Sequence, residues 1–147
     1  MLKKISNIGD CGITCDFGDE VDKTTNKEVI KLFNFIQESV KNKKIKGILN
    51  YTPSYNKLII NFDLGEVKSG EVIEFIKIND YSKTVFSEKS KFVEIPICYD
   101  EEFALDIKRL EEKTKLNFNE IVKEHLNTDF FVYMIGFVPG QPFLGDL

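Results

Sequence analysis

The sequence predicts an α+β protein, a small sheet domain of order β-β-α-β-β-α followed by a second domain that opens on a strand. Three observations lead there. Apolar residues recur at helical spacing in two places, Val29, Leu32, Phe33, Ile36 and Val40, then Val72, Ile73, Phe75 and Ile76. Short β-type runs bounded by turn-forming residues lie on either side of the first helix. Between Asn79 and Lys91 the periodicity lapses into Asp80, Ser82, Lys83, Thr84, Ser87, Glu88, Lys89 and Ser90, the composition of an interdomain connection. The expected division is 1–79 for the first domain, 80–91 for the linker and 92–147 for the second domain.

Each element follows from local chemistry. Ile5 to Ile8 and Ile13 to Phe17 read as two strands joined through the turn dipeptide Gly9-Asp10. The first helix runs from about Asp22 or Thr25 to Lys43, with Asp22, Thr24 and Thr25 as candidate caps and Gly47 just beyond its end. Ile48 to Tyr51 and Leu58 to Phe62 form the next strand pair. Pro53 between them has no N–H for a ladder, so it belongs in a loop or at a sheet edge. A helix over Gly70 to Ile78 completes the first domain, with both helices expected on one side of the sheet. In the second domain Phe92 to Tyr99 reads as a strand, and helices are expected at about Ala104 to Lys115 and Phe118 to Leu126. Asn117 and Glu120 have the spacing of a capping box at the start of the latter. Phe130 to Phe137 is the most apolar strand of the chain.

Composition excludes several function classes. A net charge of −4 over 147 residues and a lack of any basic stripe argue against nucleic-acid binding. The cluster Lys41, Lys43, Lys44 and Lys46 reads as the solvated end of the first helix, where cations complement the helix dipole. No apolar run approaches the ~20 residues of a membrane span. The opening Met-Leu-Lys-Lys-Ile-Ser turns polar too soon for a signal peptide, so the expected location is cytoplasmic. Cys11, Cys15 and Cys98 make an odd set without a CxxC pair, which fits neither a disulfide framework nor a zinc ribbon. If Cys11 and Cys15 occupy one strand they share a face. They read as small buried hydrophobes, and no metal site is expected.

The chemistry-bearing stretch is the last one. Gly136, Pro139, Gly140, Pro142 and Gly145 fall directly after a hydrophobic strand. Glycine allows close backbone approach and proline fixes φ. Such a strand-to-loop junction can array backbone N–H groups for an anion or carbonyl oxygen, or can be an ordinary tight turn. The residues singled out as a substrate or partner loop are Gly136, Phe137, Pro139, Gly140, Gln141, Pro142 and Phe143.

The order Tyr133-Met134-Ile135-Gly136-Phe137-Val138-Pro139-Gly140-Gln141-Pro142-Phe143-Leu144-Gly145 resembles "Y-x-V-x-M-x-G-F-x-P-G-F-P-Y-L-G-G-L", a signature of the 5-oxoprolinase B-subunit family. That family is also called allophanate hydrolase subunit 1, and it includes a sporulation-kinase inhibitor and a segment of urea carboxylase. Three weaker likenesses occur in the right order. Gly9-Asp10, Phe17-Gly18 and Asn26 resemble the family's opening; Pro53-Ser54-Tyr55, Leu58 and Phe62-Asp63 resemble "P-S-Y-x-S-L-L-V-x-Y-D". Ile95-Pro96-Ile97-Cys98-Tyr99, Asp106, Glu120-Ile121-Val122 and His125 resemble "I-P-V-x-Y", "D-L" and "E-V-I-x-x-H".

The resemblance implies a small N-terminal α/β domain followed by a cyclophilin-like β-barrel, of which this chain would hold the first part. The family's later motifs are not in the sequence, so a truncated barrel that pairs with another copy or a partner is the expectation. It also implies a cytoplasmic complex with A and C subunits that opens the lactam of 5-oxoproline with ATP hydrolysis. The chain has no P-loop, so it is not expected to be a P-loop nucleotide binder, and the expectation is that it binds no cofactor itself while ATP serves the assembled complex. It has no nucleophile elbow either. The alternative is a regulatory module that inhibits a sensor histidine kinase. Gln141, Phe143 and Asp146 depart from the family pattern, and Asp146 adds negative charge near the carboxylate site expected at this loop. No catalytic residue is assigned. His125, the sole histidine, is the candidate, either as a proton shuttle or as a group favoured by the helix C-terminus. Asp10 either orders a turn or meets substrate, Tyr55 and Asn56 shape the Pro53 loop, and Tyr133 is expected in the core.

Overall fold

The structure, a computed structural model, describes residues 1–84 and 91–145. It divides into two compact units: Met1–Glu88 with Val132–Gly145, and a second formed chiefly by Lys89–Phe131. Residues 85–90 of the expected connection, and Asp146, lie outside the described residues.

In the first unit, β1 (Lys4–Asn7) and β2 (Gly12–Asp16) form a hairpin closed by the Ile8 N–H donating to Gly12 O at 2.8 Å. The turn is set by Gly9, whose φ of 56° falls in the left-handed region that glycine enters without strain. The Asp10 carboxylate holds no hydrogen bond among the described residues, so backbone geometry shapes this turn. Helix α1 (Lys23–Lys41) starts where expected: the Asp22 carboxylate accepts from the Thr24 and Thr25 N–H groups at 2.8 and 2.9 Å. That satisfies donors that the first helical turn leaves orphaned. The lysines beyond its end are exposed.

The strands β3 (Ile48–Pro53) and β4 (Lys57–Phe62) and helix α2 (Ser69–Ile78) complete the unit. The antiparallel sheet has the order β1-β2-β4-β3. Pro53 therefore ends an edge strand, where a missing donor breaks no interior ladder. One parity of each central strand is buried: Ile13 and Cys15 on β2, and Leu58, Ile60 and Phe62 on β4. They form a single core with Val29, Leu32 and Ile36 of α1 and Val72 and Ile76 of α2. Both helices thus cover the same sheet face. Each such fully buried side chain contributes roughly 1.5–3 kcal/mol.

The chain returns to this unit at its far end. Strands β5 (Phe131–Ile135) and β6 (Pro142–Gly145) make a separate two-stranded sheet. β6 lies where the sequence suggests only loop; Pro142 is tolerated because it is the strand's first residue.

The second unit holds a 3₁₀ turn at Glu101–Phe103, α3 (Ile107–Thr114) and α4 (Phe118–Leu126). The capping box forms as expected: Asn117 Oδ1 accepts from the Glu120 N–H, and the Glu120 carboxylate accepts from the Asn117 N–H. The expected strand over Phe92 to Tyr99 does not form. Residues 91–100 have no regular structure, and Phe92, Val93, Ile95 and Ile97 are all at least half exposed. A strand exists only by pairing, and among the described residues this segment pairs with no strand. No barrel is built from the described residues 91–131.

Candidate functional site

The Gly/Pro-rich stretch is a hairpin closed on itself. The Gly136 N–H donates to Gln141 O at 3.1 Å, Val138 N–H to Gly136 O at 2.8 Å and Gln141 N–H to Val138 O at 3.2 Å. Three of the N–H groups expected to face a ligand are therefore engaged inside the turn. Gly140 turns the chain at φ 86°, and Phe137 adopts φ 63°. A bulky residue there is an outlier, costing about 1–2 kcal/mol. Phe137 is also 90% exposed, beside the exposed Ile135 and Val138, and Pro139, Gly140, Gln141 and Pro142 are exposed with them. The tip is apolar and strained; the base is anchored.

Anchoring comes from segments far away in sequence. Asn26, buried on α1, donates its side-chain amide to Ser54 O (3.2 Å), Tyr55 O (3.0 Å) and Tyr133 O (3.2 Å). The Tyr55 ring packs on Tyr133, centroids 5.5 Å apart, and meets Phe143 edge-on at 6.3 Å. Ser54 Oγ donates to Met134 Sδ at 3.5 Å. Gly145 lies so close to the Tyr133 ring that a Cβ there would overlap it. Asn56 fixes the other side of the Pro53 loop, its side-chain amide donating to Gly18 O at 2.7 Å while its backbone carbonyl accepts from the Phe17 N–H. Tyr133 is buried, as expected, and Tyr55 and Asn56 shape the loop. The element that sequence reasoning misses is the role of Asn26; a polar residue on the apolar side of an amphipathic helix is the available signal.

Two charged or nucleophilic groups sit in or beside this unit's core. Asp16 pairs with Lys57 at 2.9 Å and accepts from the Gly18 N–H at 2.9 Å. The Lys57 hydrogen bond, then that N–H, hold its carboxyl below the usual range. Cys15 is buried, and desolvation pushes its thiol up to about 12. Cys11 precedes β2 and is exposed, as is Cys98. The two N-terminal cysteines thus do not share a buried face. Among the described residues no cluster of His, Cys, Asp or Glu is arranged to hold a metal.

His125 belongs to the second unit, in the last turn of α4. Its Nδ1 lies 2.5 Å from Tyr99 Oη, and its ring centroid is 5.1 Å from that of Phe130. The ring borders an open cleft of about 280 Å³. No helix among the described residues is long and apolar enough to cross a membrane.

Comparison with known proteins agrees with the resemblance. The carboxyltransferase domain, subdomain C and D, matches residues 3–147. The chain belongs to this family. It is 27% identical to the 5-oxoprolinase B subunit of Bacillus subtilis (strain 168), over 98% of this chain and 63% of that protein. It is 21% identical to the 5-oxoprolinase B subunit of Escherichia coli O157:H7, over 95% of this chain and 62% of that protein. The chain thus spans less than two thirds of the length of these relatives. Among solved structures, that of TTHA0988 superposes with a TM-score of 0.71 at 25% identity, covering 92% of this chain and 25% of the other.

Proposed function

We propose that this chain acts as the B-type element of a 5-oxoprolinase-like complex, which uses ATP hydrolysis to open a lactam to an amino acid. In this reading the hairpin at Gly136–Phe143 is the surface it offers to substrate or partner. The names of two relatives aligned over nearly the whole chain support the complex. One observation carries the role of the hairpin. Asn26, the Ser54-Tyr55 loop and Tyr133 gather beneath it, while Phe137 at its tip stays exposed in a strained backbone. Strain of this kind persists where the surroundings over-determine it, and it clusters at functional sites. An exposed aromatic on a rigid support is the usual form of an interface anchor.

The same proposal includes a cytoplasmic location, A and C subunits or a second copy as partners, and 92–147 as the opening of a cyclophilin-like domain. ATP belongs to the assembled complex, with no nucleotide held by this chain. The test is reconstitution with the C and A subunits and measurement of glutamate formed from 5-oxoproline. ATP-dependent product is expected, and Phe137→Ala should lower it about tenfold, or ~1.4 kcal/mol, with the circular dichroism unchanged. An assembled complex that forms no glutamate counts against the enzyme reading. A fully active Phe137→Ala complex counts against the hairpin alone.

A further inference from the structure

Asn26 and Tyr55 meet the terminal hairpin in different ways. Asn26 reaches it through one strand, at Tyr133 O of β5. Tyr55 reaches both, its ring 5.5 Å from that of Tyr133 on β5 and 6.3 Å from that of Phe143 on β6. The first pair is tilted at 37° and the second stands edge-on at 83°, arrangements that aromatic rings favour at about 4.5–7 Å. β6 has four residues, opens on a proline that lacks an N–H, and pairs among the described strands with β5 alone. Backbone bonds to so short a second strand are marginal in water, so the ring packing at Phe143 matters to whether it stays closed.

Tyr55 is itself held independently of the hairpin. Its backbone carbonyl accepts from the Asn26 side chain at 3.0 Å, and the Ser54 N–H closes the loop onto Lys57 O at 2.8 Å. On the other side the Asn56 side chain donates to Gly18 O at 2.7 Å. A ring carried on a loop tied at both flanks is a fixed support with few side-chain rotors to order. The Tyr55 hydroxyl has no hydrogen-bond partner among the described residues, so the ring and not the hydroxyl makes the contact.

We infer that Tyr55 is a positioning residue that clamps β6 onto β5 and so fixes how Phe137 is presented, a role that rests on the hairpin being the functional surface proposed above. Asn26 docks β5; Tyr55 closes the pair. Two signals of the full chain report the clamp. Gly145 lies against the Tyr133 ring, so its α protons carry a ring-current shift, and the Gly136 N–H is bonded across the hairpin to Gln141 O. In Tyr55→Leu, which keeps apolar bulk without a ring, the Gly145 shift should collapse and Gly136 N–H should exchange about tenfold faster. Exchange across β4 should stay as in wild type, and Tyr55→Phe should keep both signals. Both signals retained in Tyr55→Leu, both lost in Tyr55→Phe, or β4 exchange raised equally would each overturn the clamp. In the reconstituted complex Tyr55→Leu should lower glutamate formation, and combining it with Phe137→Ala should lower it no further than Phe137→Ala alone, since residues that act as one unit are not additive. Additive losses overturn action through the tip. A wild-type complex that forms no glutamate removes the enzyme reading instead, and the two hairpin signals still decide the clamp.

Discussion

Replacing Asn26 by alanine tests whether one buried amide holds the terminal hairpin to the N-terminal domain. The side chain is 3% exposed, and its amide nitrogen serves three carbonyls, on Ser54, Tyr55 and Tyr133. Two hydrogens reach three acceptors, so two full hydrogen bonds are lost. At about 0.5–1.5 kcal/mol each, with some lost packing, Asn26→Ala should cost ~2–3 kcal/mol. A domain of this size then melts lower by roughly 10–20 °C, at about 4–8 °C per kcal/mol. Asn26→Asp keeps the shape but sets a carboxylate against three carbonyl oxygens. Its folded-state pKa is raised, so its stability is greatest below the unfolded aspartate value of about 3.9. That stability is lost as pH rises through the folded-state value. Urea unfolding gives the global cost, and hydrogen exchange at Gly136 N–H, bonded to Gln141 O, reports the hairpin. An Asn26→Ala protein within about 0.5 kcal/mol of wild type, with hairpin exchange unchanged, would refute the reasoning.

Two further outcomes follow from groups near the core. The Asp16 carboxyl is depressed by its hydrogen bond from Lys57 and by the Gly18 N–H, so its contribution is present above the unfolded aspartate pKa. It is lost as pH falls through the folded value. Asp16→Asn should flatten the acid limb of a stability profile, by no more than ~1 kcal/mol for this partly exposed pair. An unchanged acid limb would remove Asp16 from the pH dependence. Among the three thiols, buried Cys15 is pushed up to about 12 while Cys11 and Cys98 are exposed. Iodoacetamide near pH 8 should therefore give two adducts by mass spectrometry, with a third only in urea; three adducts at equal rates would mean that the core opens readily.

Periodicity carries the sheet domain well because its signals are local. The apolar positions of α1 and α2, the Asp22 cap and the Asn117–Glu120 box each concern residues within a turn or two of one another. The alternation on β2 and β4 is equally local. Phe92–Tyr99 misleads for the opposite reason: its composition favours a strand, yet a strand needs a partner, which composition cannot supply. Pro142 obscures β6, since proline argues against strand interiors and only the fold shows it to be the first residue. Cys11 and Cys15 are separated by the start of β2 at Gly12, a boundary of one residue.

The candidate site is legible in the sequence only as separate pieces. Its segments, at Asn26, Ser54-Tyr55 and Tyr133–Phe143, look unrelated because bonded partners are as many as 107 positions apart. The structure joins them through side chains, since among the described strands β5 and β6 pair only with each other. A two-stranded hairpin by itself is marginally stable in water. The contacts from Asn26 and Tyr55 must therefore supply much of what orders β5 and β6, and with them the left-handed backbone at Phe137. On this reasoning a change on α1, remote in sequence from the tip, alters how firmly the exposed phenylalanine is presented. Stability of the hairpin and function of the loop are then two readings of one set of contacts.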